Sequence, residues 1–410
     1  MRVCLLSYRG NPFAGGQGVY VHYLSRELVR LGHEVDVFAG PPYPVVVDEV
    51  GLHRVKSLNL YEMNGRHPFR FPDLLHPLNI YEVVAVKAGL FPEPFTFSIR
   101  AYGRLRRDWG DRRYDVIHDN QSLGYGLLPM RGLGVPVVAT LHHPIPIDRN
   151  AEIAQTKSAL ARLRLLRWYS FTVMQGIVAR RLDRVITVSE SSAAAAMRFF
   201  RIPEQRLRVV HNGVDCDVFV PCENAQRPPN SIIVTTSSDM AVKGLRYLLE
   251  AIAILRARMP VCLTVVGNDD PDSGGPRLAH RYGVEDAVRF TGRVETASLV
   301  GHYARAAVAV VPSLFEGFGL PAAEAMSCGL PVVASTGGAL PEVVGRNGEC
   351  GLLVPPGDAR ALASALERLL SDESLRRRMG MAGRRRVLEN FSWREAARRT
   401  VAVYEEARRC

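Results

Sequence analysis

Two carboxylates, Glu316 and Glu324, stand eight positions apart in the string Phe315-Glu316-Gly317-Phe318-Gly319-Leu320-Pro321-Ala322-Ala323-Glu324. Carboxylates suit sugar and ribose hydroxyls, and a negative charge can also stabilise a cationic carbon. The apolar run Val308 to Val311 before the string reads as a buried strand, and Pro321 to Ser327 reads as a helix. The predicted local form is therefore strand, tight loop, helix. Gly317 and Gly319 let the backbone approach a ligand, and Pro321 suits a first helical turn. The amides of Phe318, Gly319 and Leu320 would then open a helix N-terminus, where a diphosphate is favoured. Glu316 precedes that anion site and Glu324 lies about one turn into the helix. Two hydroxyl-seeking acids beside a phosphate cradle describe a nucleotide-sugar site. An ordinary turn flanked by two solvated glutamates would account for either acid alone, but not for the whole string.

A cation is expected nearby. The chain has four lysines, at 56, 87, 157 and 243, so Lys243 is the single lysine between residues 213 and 410. A compact ammonium before Gly244, after a predicted strand and opening a helix, suits an anion site that Arg does not fill. His142 follows the predicted strand Val137 to Leu141, at the edge where ligands of such sheets bind. An imidazole with a pKa near neutrality could hydrogen-bond a sugar hydroxyl or share a proton. His143 should point elsewhere, and His118 and His211 lack metal-ligand spacing. No D-x-D element stands in a suitable context, so no divalent metal is expected.

These residues need scaffolds. At 410 residues the chain exceeds the usual size of one core, so two domains are expected. Apolar runs at 2–7, 34–39, 115–118, 135–140 and 184–188 read as strands, alternating with helices at 19–31, 151–180 and 190–200. The segment 41–100 has no clear period and should supply loops that touch an acceptor. Pro221 to Asn230 is polar and proline-bearing, and reads as a linker. The alternation then restarts with strands at 231–236, 261–266, 288–291, 307–311, 331–334 and 351–354. Leu245 to Arg258 is an amphipathic helix with apolar residues at 245, 248, 249, 252 and 255. Three tail helices are expected over 358–370, 372–389 and 393–409. The fold class is α/β, with two Rossmann-like doubly wound units that bind ligands at the carboxyl ends of their strands.

The Glu316–Glu324 string resembles the E-x7-E motif of retaining glycosyltransferases of family 4. The resemblance extends along most of the chain. Gly15-Gly16-Gln17-Gly18-Val19-Tyr20 and Leu31-Gly32-His33-Glu34-Val35 look like the family's opening glycine loop, first helix and second strand. His211-Asn212-Gly213-Val214-Asp215 matches the passage between its lobes. Lys243-Gly244, Phe290-Thr291-Gly292-Arg293-Val294, Gly337-Gly338-Ala339-Leu340-Pro341-Glu342 and Gly351 to Asp358 follow in order. Each piece is weak alone, but their joint order and spacing are specific.

The resemblance implies the GT-B arrangement, two Rossmann-like lobes facing a cleft, with a C-terminal helix returning to the first lobe. Residues 1–212 would form the acceptor-side domain, joined by 393–410, and residues 213–392 the nucleotide-sugar domain. It implies a retaining hexosyltransferase that takes a nucleoside diphosphate sugar and no permanent cofactor. Lys243 would meet the leaving diphosphate, Glu316 the donor sugar and the cationic carbon, and Glu324 the ribose hydroxyls. His142 would approach the donor sugar at the reacting centre. Gly15, Gly16, Gly317, Phe318, Gly319 and Leu320 would line the diphosphate, and Arg293 and Val294 would meet the base. The family usually carries an Arg six positions before the Lys, where this chain has Ser237. That departure makes a non-catalytic nucleotide-sugar binder one rival, and an epimerase or sugar-phosphate synthase on the same scaffold another.

Composition narrows the rest. The net charge of +11 falls almost wholly on residues 1–212, with 28 basic and 18 acidic side chains, against 24 and 23 in 213–410. Arginines cluster at 100, 104, 106, 107, 112 and 113, and at 162, 164, 167, 180, 181 and 184. Such a face favours an anionic acceptor or a peripheral contact with an anionic membrane, unless it is only a solvated helix face. No aromatic-interleaved basic motif points to nucleic acid. The acceptor is expected to be a sugar, polyol or lipid-linked hydroxyl. Seven cysteines without a C-x-x-C pair fit buried thiols in a reducing compartment, Cys262 within Val261-Cys262-Leu263 among them. No run of about 18 uncharged apolar residues appears, so no membrane-spanning helix is expected, and the N-terminus reads as a short strand rather than a signal peptide. A cytoplasmic protein, peripheral to the membrane's inner face, is the expectation.

Overall fold

Short runs rich in Val, Ile and Leu form the strands, because a run buried on both faces need not alternate with polar residues. The computed structural model describes residues 1–10, 16–60, 75–110, 112–222, 226–235, 241–267 and 274–409. Two compact units result, one of Met1–Val210 with Ala396–Cys410, the other of His211–Glu395.

In unit 1 the strands are β1 (Arg2–Ser7), β2 (Glu34–Ala39), β3 (Gly51–Arg54), β4 (Val116–Asn120), β5 (Val137–Leu141), β6 (Arg184–Thr187) and β7 (Leu207–Val209). They form one parallel sheet in the order β3-β2-β1-β4-β5-β6-β7. Its helices are α1 (Gly16–Arg30), α2 (Pro77–Lys87), α3 (Glu93–Asp108), α4 (Leu127–Met130), α5 (Pro146–Gln155), α6 (Ala159–Trp168), α7 (Phe171–Ala179) and α8 (Glu190–Phe200).

Unit 2 repeats the plan. Its strands β8 (Ser231–Thr235), β9 (Cys262–Val266), β10 (Val288–Phe290), β11 (Val308–Val311), β12 (Val332–Ser335) and β13 (Gly351–Val354) run parallel in the order β10-β9-β8-β11-β12-β13. Around them lie α9 (Leu245–Arg256), α10 (Gly274–Tyr282), α11 (Thr296–Arg305), α12 (Leu320–Ser327), α13 (Leu340–Val344), α14 (Ala359–Ser371) and α15 (Glu373–Asn390). The last helix, α16 (Trp393–Arg408), lies in unit 1 from Ala396 onward. In both sheets the strand order reverses beside the first strand, the doubly wound pattern whose switch point binds ligands.

The amphipathic reading of α9 holds in detail: Leu245, Leu248, Leu249, Ile252 and Leu255 are all at most 3% exposed and join the core of unit 2. Full burial of such a side chain stabilises by roughly 1.5–3 kcal/mol. Asp358 caps α14 by accepting from the Ala361 amide at 2.9 Å, and Asp372 caps α15 from Leu375 at 2.9 Å. The return of α16 is fastened by Tyr404, fully buried with its hydroxyl 2.6 Å from His118 Nδ1, and by Glu406, which accepts from Arg184 and Arg208.

Several expectations need correcting. The single helix over 151–180 is three helices, α5 to α7. Ser158 Oγ caps the second of them, and the chain breaks again between Trp168 and Phe171. The segment 41–100 holds regular elements as well as loops: β3, α2 and the start of α3 fall in it, with residues 61–74 outside the described set. Glu82 on α2 accepts from Thr96 and Arg100 on α3, a buried pairing that periodicity cannot report. Arg100 therefore leaves the basic face and enters the interior, whereas Arg104, Arg106 and Arg107 are exposed. The proline-bearing stretch at 221–230 lies inside unit 2, and the chain passes between units at 210–211. Cys262 is exposed at the first position of β9, and Cys222 is exposed too; Cys4, Cys328 and Cys350 are buried.

Candidate functional site

The carboxyl ends of β8 and β11 mark the switch point of unit 2, and both carry expected site residues. After β8 the chain makes a short 3-10 turn, Ala241–Lys243, so the helix proper starts two residues after Lys243 rather than at it. Gly244 has φ +72°, and a Cβ there would lie 2.1 Å from the Pro312 carbonyl. Only glycine lets this turn press onto the loop after β11. The Leu314 amide donates to the Val242 carbonyl at 2.7 Å and locks the two loops together. Lys243 Nζ then donates to Glu316 Oε1 at 2.8 Å, and Ser313 Oγ donates to the same oxygen at 2.7 Å. The Glu316 side chain is 10% exposed and that of Lys243 29%. An ammonium has three donors, so two remain for other oxygens.

Glu316 is held from behind by a second loop. Its backbone pairs with Gly338, and its carbonyl accepts from the Ala339 amide at 3.0 Å. Ser335 Oγ donates to the Ser313 carbonyl and accepts from the Gly337 amide at 3.1 Å. Phe318 is buried, with ring centroids 6.1 Å from His211 and 5.6 Å from Phe391. Gly319 precedes the first turn of α12, so Phe318 to Leu320 do occupy a helix N-terminus. Glu324 lies one turn further on. Its Oε2 accepts from the Tyr303 hydroxyl at 3.3 Å, and that hydroxyl also lies 2.8 Å from Thr235 Oγ1. Burial pushes the Glu324 carboxyl up to about 7, against a small lowering by Tyr303. Arg293 is exposed just beyond β10, and the neighbouring Gly292 carbonyl accepts from the Gly267 amide at 3.1 Å. Ser313, Tyr303 and Thr235 carried no sequence signal, because each acts through a partner distant in the chain.

In unit 1, His142 follows β5 and meets residues that end β1 and β4. Asn120 Nδ2 donates to the Gln17 carbonyl at 3.0 Å and to Ser7 Oγ at 3.2 Å, which turns its Oδ1 toward His142. His142 Nε2 is 2.5 Å from that oxygen and must carry the proton. The His142 amide donates to Gln121 Oε1 at 2.6 Å, and the Tyr20 ring packs edge-on at 4.5 Å between centroids. Burial lowers the His142 pKa to about 3. The expectation of an imidazole titrating near neutrality is therefore wrong: His142 is neutral at pH 7 and suits hydrogen bonding rather than proton sharing. His143 does turn elsewhere, with Nε2 2.8 Å from Asp148 Oδ2. His118 is structural, bonded to Tyr404 and, at 2.7 Å, to Thr140. Gly16 opens α1, while Gly15 and Ser237 lie outside the described residues. Among the described residues no group of three or more His, Cys, Asp or Glu is arranged to hold a metal ion. No described helix is long and apolar enough to cross a membrane.

Known proteins resemble this chain along its whole length. Residues 14–218 match the model of Glycosyltransferase Family 4, and residues 230–372 that of Glycosyl transferases group 1. The chain is 45% identical to an MMP alpha-(1->4)-mannosyltransferase of Mycolicibacterium hassiacum, covering 99% of this chain and 98% of that protein. It is 30% identical to a D-inositol 3-phosphate glycosyltransferase of Streptomyces bingchenggensis, over 100% of this chain and 90% of the relative. Among solved structures, the sucrose-phosphate synthase of Thermosynechococcus elongatus superposes with a TM-score of 0.75 at 26% identity, covering 99% of this chain and 98% of that one.

Proposed function

Because this chain belongs to glycosyltransferase family 4 and is a glycosyltransferase of the GT-B fold, we propose that it moves mannose from a nucleoside diphosphate sugar to a hydroxyl acceptor with retention at the anomeric carbon. The observation that carries this reading is the contact of Lys243 Nζ with Glu316 Oε1 at the switch point of unit 2, beside the N-terminus of α12. Mannose is chosen from the full-length relative at 45% identity, whose name describes an α-(1→4)-mannosyltransferase.

Each group has a separate task in this reading. The two uncommitted Lys243 donors and the amides of Phe318, Gly319 and Leu320 take up charge on the departing diphosphate. No divalent cation is required for that step. Glu316, held in place by its two donors, faces the developing cation on the sugar. Glu324 accepts from the ribose hydroxyls, and Arg293 and Val294 border the base. Gly16, which opens α1, is a diphosphate contact in this reading. His142 offers Nδ1 as an acceptor to a sugar hydroxyl, since Nε2 is committed to Asn120. The acceptor is a sugar, polyol or lipid-linked hydroxyl. Exposed arginines on α3 and α6, with Leu160, Leu163 and Leu166 exposed on α6, support an anionic acceptor or membrane surface as its setting.

Turnover of nucleoside diphosphate mannose with a panel of hydroxyl acceptors tests the reading, with the product anomer read by NMR and runs repeated with EDTA and with anionic vesicles. An α-mannoside formed in EDTA is expected, with faster transfer on vesicles. A β-product would remove retention, and donor binding without turnover for any acceptor would favour a non-catalytic binder.

The pH dependence has a definite sign. The Glu324 carboxyl rises from its ordinary 4.5 to about 7 on folding. Between those values the folded chain holds a proton that the unfolded chain has lost. Glu324 thus stabilises the fold most at low pH, and that contribution fades as pH rises to 7. Binding of ribose hydroxyls needs the carboxylate, so donor affinity should fall about tenfold per unit as pH drops below 7. Calorimetric titrations from pH 5 to 8 on the wild type and on Glu324→Gln check this. The variant should bind more weakly and lose the slope, and an unchanged slope would acquit Glu324.

A further inference from the structure

At the opposite end of the same sheet, unit 2 holds a pocket of about 940 Å³. Ala307 and Pro331 on its wall stand just before β11 and β12, so it opens at the amino ends of strands, away from Lys243 and Glu316. Five arginines line it: Arg227, Arg376, Arg377, Arg384 and Arg385. Among the described lining residues the single carboxylate is Glu373, and Arg377 Nη2 takes it at 2.9 Å.

Backbone carbonyls hold three of the others. Arg384 donates to the Phe219 and Ser327 carbonyls at 2.8 and 2.9 Å, and Arg227 to that of Cys328 at 3.1 Å. Arg376 uses Nη1 alone, on the carbonyls of Leu369 and Leu370 at 2.8 and 2.7 Å. Carbonyl dipoles at helix C-termini orient a cation but do not neutralise it. Capping explains Arg227, Arg376 and Arg384. It does not explain Arg385, which has no hydrogen bond or ion pair among the described residues, nor the excess of five cations over one acid.

Arg377, Met381, Arg384, Arg385 and Leu388 recur at helical spacing along one face of α15. Met381 is 66% exposed and Leu388 49%, so apolar surface is interleaved with the charge. The pocket is far larger than an inorganic anion and falls in the range of small-molecule sites. We propose that it binds a phosphorylated small molecule, with the phosphoryl group on the arginines and the organic part against Met381, Leu388 and Pro331. Forked guanidiniums match phosphate oxygens in pairs, which favours phosphate over a lone carboxylate.

Calorimetry with phenyl phosphate on the full chain tests this, comparing wild type, Lys243→Ala and an Arg377→Ser/Arg385→Ser double variant. Both replaced arginines are exposed, so the fold should tolerate their loss. The expected result is equal binding to wild type and Lys243→Ala, at least about tenfold weaker binding to the double variant, and weaker binding of inorganic phosphate than of phenyl phosphate. Cys222, on the pocket wall, supplies a local readout: phenyl phosphate should slow its alkylation by iodoacetamide. No binding to wild type at up to about 10 mM, full binding to the double variant, loss in Lys243→Ala, or equal affinity for inorganic phosphate would each overturn the proposal.

Discussion

Lys243→Met and Glu316→Gln should each lower kcat by about 10²–10³-fold, with the fold retained. Both side chains meet at one carboxylate oxygen, Nζ to Oε1 2.8 Å, at the end of unit 2 where the proposed reaction puts the donor. Without the ammonium, charge on the departing diphosphate falls on amides alone. Without the carboxylate, the sugar's developing cation loses its counter-charge. Because the two groups act in one transition state, the double variant should lose little more than the worse single one. Lys243→Met strands Glu316 with Ser313 as its remaining side-chain donor, so some stability is lost as well. A cycle of four proteins, assayed for kcat and melting temperature, separates the two effects. Full activity in either single variant would remove both residues from the chemistry.

Gly338→Ala should lower kcat at least about tenfold, and by up to 10²-fold if Glu316 moves by an ångström. The position is 22 residues from Glu316 in sequence, yet an added Cβ would sit 2.2 Å from the Glu316 carbonyl oxygen and 2.8 Å from its nitrogen. Its φ of +66° also strains any side chain. The loop must back away, and the carboxylate it supports goes with it. Gly348→Ala is the matching control, since φ there is +91° but nothing lies within 4 Å of the new Cβ. Both variants carry backbone strain, of order 1–3 kcal/mol, whereas only Gly338→Ala should move the site. Equal kcat in the two would show that this loop does not position Glu316. Urea unfolding of both, alongside steady-state kinetics, gives the comparison.

Twin α/β units, the strands of unit 2 to within a residue or two at each end, and the pairing of glycine turns with acids were legible in the chain. Each rests on local physics: apolar runs of strand length, helical spacing as in α9, and glycine or proline at turns. The helix break between Trp168 and Phe171 and the burial of Arg100 were not legible, because both answer to neighbours far along the chain. The same holds at the site. Sequence named Lys243, Glu316, Glu324 and His142, since each stands next to a strand end or helix start. Tertiary structure alone decided that Lys243 donates to Glu316, through Gly244 against Pro312 and Gly338 against Glu316. It also decided the charge of His142 and Glu324. Burial, which no spacing reports, holds His142 neutral and brings Glu324 to the edge of ionisation at neutral pH.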